Sequence, residues 1–258
     1  MSASVPPTPR PHEPPLEWGA FDFVRRVPPP SGEYEWVYLW ERPLRFMHWV
    51  AALCIVFLVI TGLYIGKPYF MTTGEAANHF VMGWFRFVHF ATAAVLVMTG
   101  IVRFYWLFMG NRFERWAALF PVRVRDWRNL VRMSRFYLMI DTKSVPKYLG
   151  HNPLQQMSYT GLYACAVVMV LTGFALYGQA EPTGLIYGLF HWVNTFLGGA
   201  QITRFVHHVV TWVFVIFIPL HVYLTIRADH LERSGTVSSI VSGGRFVPVE
   251  DRFEDAEA

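Results

Sequence analysis

Charge is scarce in this chain. Asp, Glu, Lys and Arg make up 16% of its 258 residues, where a soluble domain carries about a quarter. Cysteine is nearly absent: Cys54 and Cys165 each stand alone in an apolar run. Two such residues are too few to hold an iron–sulfur cluster, and no Cys-x-x-Cys-His stretch is present to attach a c-type haem. Both read as small buried hydrophobes. There is no nucleophile–base constellation, Gly-rich phosphate loop or metal-hydrolase motif. Residues 1–43 hold no apolar run of signal-peptide kind and are crowded with proline, from Pro6 and Pro7 to Pro28, Pro29, Pro30 and Pro43. This arm is expected to be extended or disordered and to lie outside any membrane. No internal repeat and no low-complexity tract beyond the arm is evident.

What the chain has is hydrophobicity. Apolar residues reach 53% and aromatics 17%, including ten Trp, a composition suited to lipid and to interfacial aromatic belts. Four runs are long enough to cross a ~30 Å hydrocarbon core as helices, at Leu44–Ile65, Trp84–Met109, Met157–Tyr177 and Phe205–Ile226. Helix is the required form, because backbone groups in lipid must be satisfied within the segment unless a barrel closes. The expected fold class is an all-α integral membrane protein, a four-transmembrane-helix bundle. Its domain is 44–227, followed by a tail at 228–258.

Basic residues set the topology. The stretch 110–156 carries Arg112, Arg115, Arg123, Arg125, Arg128, Arg132, Arg135, Lys143 and Lys147, whereas between the first two spans only Lys67 is basic. The positive-inside rule then places this loop, the N-terminal arm and the tail in the cytoplasm. The net charge of +4 belongs to topology and calls for no nucleic-acid partner. Within the loop, about Val124–Ile140 mixes Arg with Trp127, Leu130, Val131, Met133 and Phe136. It reads as an amphipathic helix on the inner membrane surface.

Histidine inside a span is costly and a candidate for function. His48 starts the first span at the inner side, and His89 starts the second at the outer side. The fourth span carries His207 near its outer end and His221 near its inner end. By depth, His48 pairs with His221 and His89 with His207. Fourteen residues separate His207 from His221, about four whole turns and roughly 21 Å along the axis. One face thus offers two imidazoles, each opposite another helix's histidine, which is how a helix bundle holds haem iron between bis-His ligands. His208 lies off that face, so His207 is the expected ligand. Gly62 and Gly100 sit at the depths where a porphyrin edge would pass a helix that does not ligate it. On the inner side, Tyr148, His151 and Asn152 precede the third span, and these groups can donate to a carbonyl and relay protons.

Arg45-Phe46-Met47-His48-Trp49-Val50, continuing to Leu58-Val59-Ile60-Thr61-Gly62, resembles the first-helix signature of the cytochrome b subunit of membrane-bound nickel–iron hydrogenases. Arg204-Phe205-Val206-His207-His208-Val209, with Trp212 and His221, resembles its last-helix signature. The likeness covers essentially residues 36–245. It implies a membrane-anchoring electron-transfer subunit of a hydrogen:quinone oxidoreductase complex, distinct from the hydrogen-splitting subunit. Two haems b would be ligated by His48, His89, His207 and His221. Partners would be the hydrogenase small and large subunits on the outer face, with the quinone pool as acceptor, in the bacterial cytoplasmic membrane. The resemblance does not supply the quinone site; Tyr148, His151 and Asn152 are the expected contacts by their polar chemistry on the inner side. Two alternatives are a related cytochrome b serving another exported dehydrogenase or reductase, of formate dehydrogenase or thiosulfate reductase type, and a non-haem membrane anchor.

Overall fold

In the computed structural model the described residues are 33–71, 73–75, 79–137, 146–232 and 234–255. The Pro-rich stretch 1–32 and Lys143 lie outside them. Among the described residues four helices are long and apolar enough to cross a membrane. They are α1 (Arg42–Gly66), α2 (Val81–Met109), α5 (Pro153–Tyr177) and α7 (Ala200–Glu232). Between them lie α3 (Trp116–Leu119), α4 (Val124–Tyr137) and α6 (Leu185–Leu197), and α8 (Thr236–Ser242) follows α7. The four spans contain the apolar runs anticipated from sequence and extend them by up to several residues. At 33 residues, α7 is roughly 50 Å long.

Local chemistry sets the ends. Pro43 in the first turn of α1 lacks only an N–H that has no intrahelical partner there. Asn152 caps α5: its side chain accepts from the Gln155 N–H at 3.0 Å, the Gln155 side chain accepts from the Asn152 N–H at 3.0 Å, and Pro153 follows. α6 falls in the stretch read from sequence as an outer loop. At 13 residues it is too short to span, and it folds back on the end of α5, with Phe190 stacked on Phe174 at 4.9 Å and Asn194 donating to the Ala175 carbonyl. The turn from α6 into α7 needs positive φ at Gly198 and Gly199 (90° and 119°), where a side chain would be strained.

The spans pack as two hairpins, α1 along α2 and α5 along α7, and the hairpins meet sparsely, chiefly where α1 passes α7. Large apolar side chains such as Phe57, Phe87, Phe104 and Phe205 face outward. In water such a surface would be an aggregation liability; against acyl chains it is matched.

One end of the bundle carries a small folded cap. β1 (Tyr34–Tyr38) pairs antiparallel with β2 (Gly244–Pro248), Trp36 opposite Phe246. Beneath this ribbon Leu39, Phe113, Leu149 and Val247 form a buried cluster, joined by Val37, Trp40 and Phe253. Polar groups tie the pieces. Asp255 accepts from the Leu149 and Gly150 N–H groups at 2.7 Å each, Lys147 pairs with Asp251 at 2.6 Å, and Asn111 donates to the Leu39 carbonyl. Glu114, fully buried, accepts from the Trp106 indole at 2.6 Å and from the Glu41 N–H, fastening the start of α1 to the end of α2. Burial raises its carboxyl above the usual range. The ribbon lies in the arm and tail, segments whose sequence suggested no regular structure. The amphipathic helix expected at 124–140 is α4, Val124–Tyr137; residues 138–145 lie outside the described ones. Its Asp126, Asn129 and Met133 are buried, while Val124, Trp127 and Val131 are exposed at helical spacing.

Candidate functional site

At the end away from the cap, His89 on α2 and His207 on α7 project inward. Each ring rests on the neighbouring helix of its own hairpin. Nδ1 of His89 is 2.9 Å from the Thr61 hydroxyl on α1, and Nδ1 of His207 is 2.8 Å from the Thr172 hydroxyl on α5. Both threonines donate their own proton to a carbonyl one turn back, Thr61 to Phe57 and Thr172 to Val168, each at 2.6 Å. A hydroxyl whose proton is already placed can only accept from the ring, so both imidazoles carry hydrogen on Nδ1 and leave Nε2 with a free lone pair. That tautomer suits ligation of a metal.

Nearer the cap, His48 on α1 faces His221 on α7 with ring centres 6.4 Å apart. Two metal–imidazole bonds of about 2 Å, plus about 1.1 Å from each nitrogen to its ring centre, come to about 6.2 Å. The spacing therefore fits one metal held between two imidazoles. Phe217, one turn before His221, stacks on its ring at 5.4 Å and 18°. Nδ1 of His48 is buried and has no hydrogen-bond partner among the described residues. The pairs thus differ, with rings seated on hydroxyls at the far end and a ring held by aromatic stacking near the cap.

His208 stands apart. Its ring is exposed, lies beside Gly66 on α1 and accepts at Nε2 from the Trp212 indole at 3.3 Å. Gly62 faces an imidazole, since a Cβ there would lie 3.2 Å from Cε1 of His89. Around Gly100 there is open space.

The polar group before α5 divides by role. The Asn152 side-chain oxygen caps the helix. The Tyr148 hydroxyl accepts from the Asn129 amide at 2.7 Å, and burial raises its pKa. His151 lies between Trp40 and Tyr159, each 4.9 Å away between ring centres, with Nδ1 buried and without a partner among the described residues. Burial, with the Arg103 guanidinium nearby, pushes its pKa down to about 3, so the ring is neutral at physiological pH.

Sequence reasoning passed over Thr61 and Thr172, because a threonine in an apolar helix reads as ordinary packing. A signal was available. Cys54-x-Val56-x-x-Val59-x-Thr61-Gly62 on α1 repeats as Cys165-x-Val167-x-x-Val170-x-Thr172-Gly173 on α5. Arg86-Phe87-Val88-His89 on α2 repeats as Arg204-Phe205-Val206-His207 on α7. The expectation of no internal repeat is corrected here: the two hairpins share a seat motif followed by a histidine motif, too short and too far apart to stand out until contacts align them.

Four membrane-length helices, with His48 facing His221 and with His89 and His207 each seated on the partner helix of its own hairpin, define an integral membrane protein. The chain belongs to the family described as prokaryotic cytochrome b561, whose model matches residues 39–243. It is similar to a probable Ni/Fe-hydrogenase B-type cytochrome subunit of Azotobacter vinelandii, 42% identical over 213 residues that cover 81% of this chain and 88% of that protein. A subunit of the same description from Cupriavidus necator is 38% identical, covering 81% and 86%. The probable Ni/Fe-hydrogenase 1 B-type cytochrome subunit of Escherichia coli K12 is 33% identical, covering 81% and 90%.

Proposed function

We propose that this chain is the di-haem b subunit that takes electrons from a nickel–iron hydrogenase on the outer face of the bacterial cytoplasmic membrane and delivers them to quinone. The observation that carries the reading is the histidine geometry. His48 and His221 stand at the spacing of a bis-imidazole metal site, and His89 and His207 each have Nε2 freed by a threonine hydroxyl on Nδ1. His48 with His221 would hold the inner haem and His89 with His207 the outer one. The relatives' printed names support both the b-type cofactor and the hydrogenase partner. When bound, the two haems supply reversible one-electron chemistry at two depths. The protein holds the His89 and His207 imidazoles in one tautomer, excludes water with apolar helix faces and keeps the two pairs about 21 Å apart along α7.

Orientation follows from charge. The cap end gathers Arg112, Arg115, Arg123, Arg125, Arg128 and Lys147 with the described parts of the arm and tail, so it faces the cytoplasm by the positive-inside rule. The acceptor side is then the cap side, where His151, with the Tyr148 hydroxyl and the side-chain amide N–H of Asn152, is the proposed contact for a quinone carbonyl. Protons for the reduced quinone come from the same face.

The test is a reduced-minus-oxidised spectrum with a haem-to-protein ratio on the purified chain, and co-purification with a nickel-containing large subunit. Two b-type haems and a nickel partner are expected. Absence of b-type bands would leave a plain membrane anchor, and haems with a partner lacking nickel would point to another exported dehydrogenase.

A further inference from the structure

We propose that Thr61–Gly62 and Thr172–Gly173 are a matched pair of imidazole seats that give the outer haem a lower reduction potential than the inner one, so that electrons run downhill from outside to inside. The proposal rests on the two-haem reading above and adds what sets the order of the potentials.

Each seat has two parts. The hydroxyl takes the Nδ1 proton, at 2.9 Å for His89 and 2.8 Å for His207. Its own proton is committed to the backbone at 2.6 Å in both cases, so its role as acceptor is fixed. The glycine one residue on removes the side chain that would meet the ring. A Cβ would lie 3.2 Å from Cε1 of His89 at Gly62 and 3.5 Å from Cε1 of His207 at Gly173. The same Thr-Gly pair serves on two helices, each time for a histidine on the partner helix of its own hairpin.

The electronic consequence follows from the tautomer. A ring N–H that donates to a well-placed acceptor pushes electron density toward Nε2 and makes the ligand more basic. A more basic axial ligand favours the oxidised iron, which lowers the potential. Both rings of the outer site have this support. In the inner site the Nδ1 of His48 is buried without a partner, and His221 is held by the face of Phe217. The outer site is therefore the better electron donor and the inner site the better acceptor. An outside donor and an inside acceptor require that order.

The experiment is redox potentiometry of the full-length chain in membranes. A His48→Ala background isolates the outer haem and a His89→Ala background the inner one. Thr61→Val and Thr172→Val keep the volume and remove the hydroxyl; Thr61→Ser and Thr172→Ser restore it. Each Val change is expected to shift the outer site's redox equilibrium toward the reduced form by about tenfold, the scale on which outer-shell partners act, or about 59 mV upward for a one-electron couple. Ser should return it, and the inner haem should not move. If a Val variant loses the outer haem and the Ser variant regains it, the seat is equally supported. An unmoved outer potential, or a shift or haem loss that Ser fails to reverse, overturns the proposal. The glycines give a second readout: Gly62→Ala should disturb the outer haem's ferric EPR signal more than Gly173→Ala, given the tighter approach, and the reverse order would count against the seats. A wild-type chain without b-type haem would instead sink the reading on which this one rests.

Discussion

Asn152 carries two roles that one pair of substitutions separates. Its side-chain oxygen accepts from the Gln155 N–H at 3.0 Å within a capping box, while its amide N–H group is the proposed donor to a quinone carbonyl. Asp at this position keeps the capping oxygen and loses the donor; Ala loses both. Asn and Asp cap helices about equally well, and replacing either by Ala costs about 1 kcal/mol. One hydrogen bond to a bound carbonyl contributes about 1 kcal/mol net, a factor of about five in apparent affinity. Asn152→Asp is therefore expected to melt with the wild type while its KM for quinone rises about fivefold. Asn152→Ala should show the same kinetic loss together with reduced thermal stability. The assay is hydrogen-driven quinone reduction in membranes holding the assembled complex, with viologen-linked hydrogen oxidation as the control that neither change should alter. If both variants reduce quinone with the wild-type KM, Asn152 does not touch the acceptor; if Ala alone is impaired, its effect is structural.

His89→Ala should remove mainly the outer haem and His48→Ala mainly the inner one, read from haem content and the split of the b-type band; loss of the same haem in both would break the pairing. His207→Ala should lose a haem, whereas His208→Ala should keep two, since His208 already accepts from Trp212; the reverse haem counts would exchange the two histidines. Single cysteines placed in 112–135 should resist an impermeant label in intact cells and those in 182–200 should react, and the opposite pattern would invert the topology. Glu114→Ala leaves the Trp106 indole and the Glu41 N–H without their buried acceptor, at about 1–3 kcal/mol. It should lower the temperature at which the inner haem is lost more than that for the outer haem, and equal shifts would show that the cap acts on the bundle as a whole.

The bundle was legible because lipid imposes one rule on every span, and the histidines stood out as candidates because an ionisable group has few reasons to be in lipid. Leu44–Ile65 lies inside α1 and Phe205–Ile226 inside α7, the difference being end turns richer in polar residues, such as Arg42 in α1 and Arg227, Asp229 and Glu232 in α7. The ribbon was not legible. Tyr34–Tyr38 and Gly244–Pro248 are short, lie at opposite ends of the chain and become strands only by finding each other. α6 was hidden for a different reason: an apolar stretch too short to span reads as a loop unless its packing on α5 is known. The seats were hidden because the chemistry of Thr61 belongs to His89, a residue on another helix.

The placement of the seats has a physical logic. Lipid offers little hydrophobic drive for one helix pair to dock on another, and the two hairpins meet sparsely, yet each proposed histidine pair takes one ring from each hairpin. Near the cap, other contacts supply the missing registration. Arg45 on α1 reaches the Val241 carbonyl beyond α7, and Gln156 on α5 donates to the Ala118 carbonyl beyond α2. His48 and His221 lie just beneath these ties, so their rings are aligned by the scaffold and need only packing. His89 and His207 are roughly 21 Å further along the helices, where a small tilt of one hairpin becomes a large displacement. The hydroxyl on the adjacent helix fixes each ring to its own hairpin, so that rotation of the ring does not add to that displacement. Near the cap His48 does without such a bond because the cap already holds its helix in place.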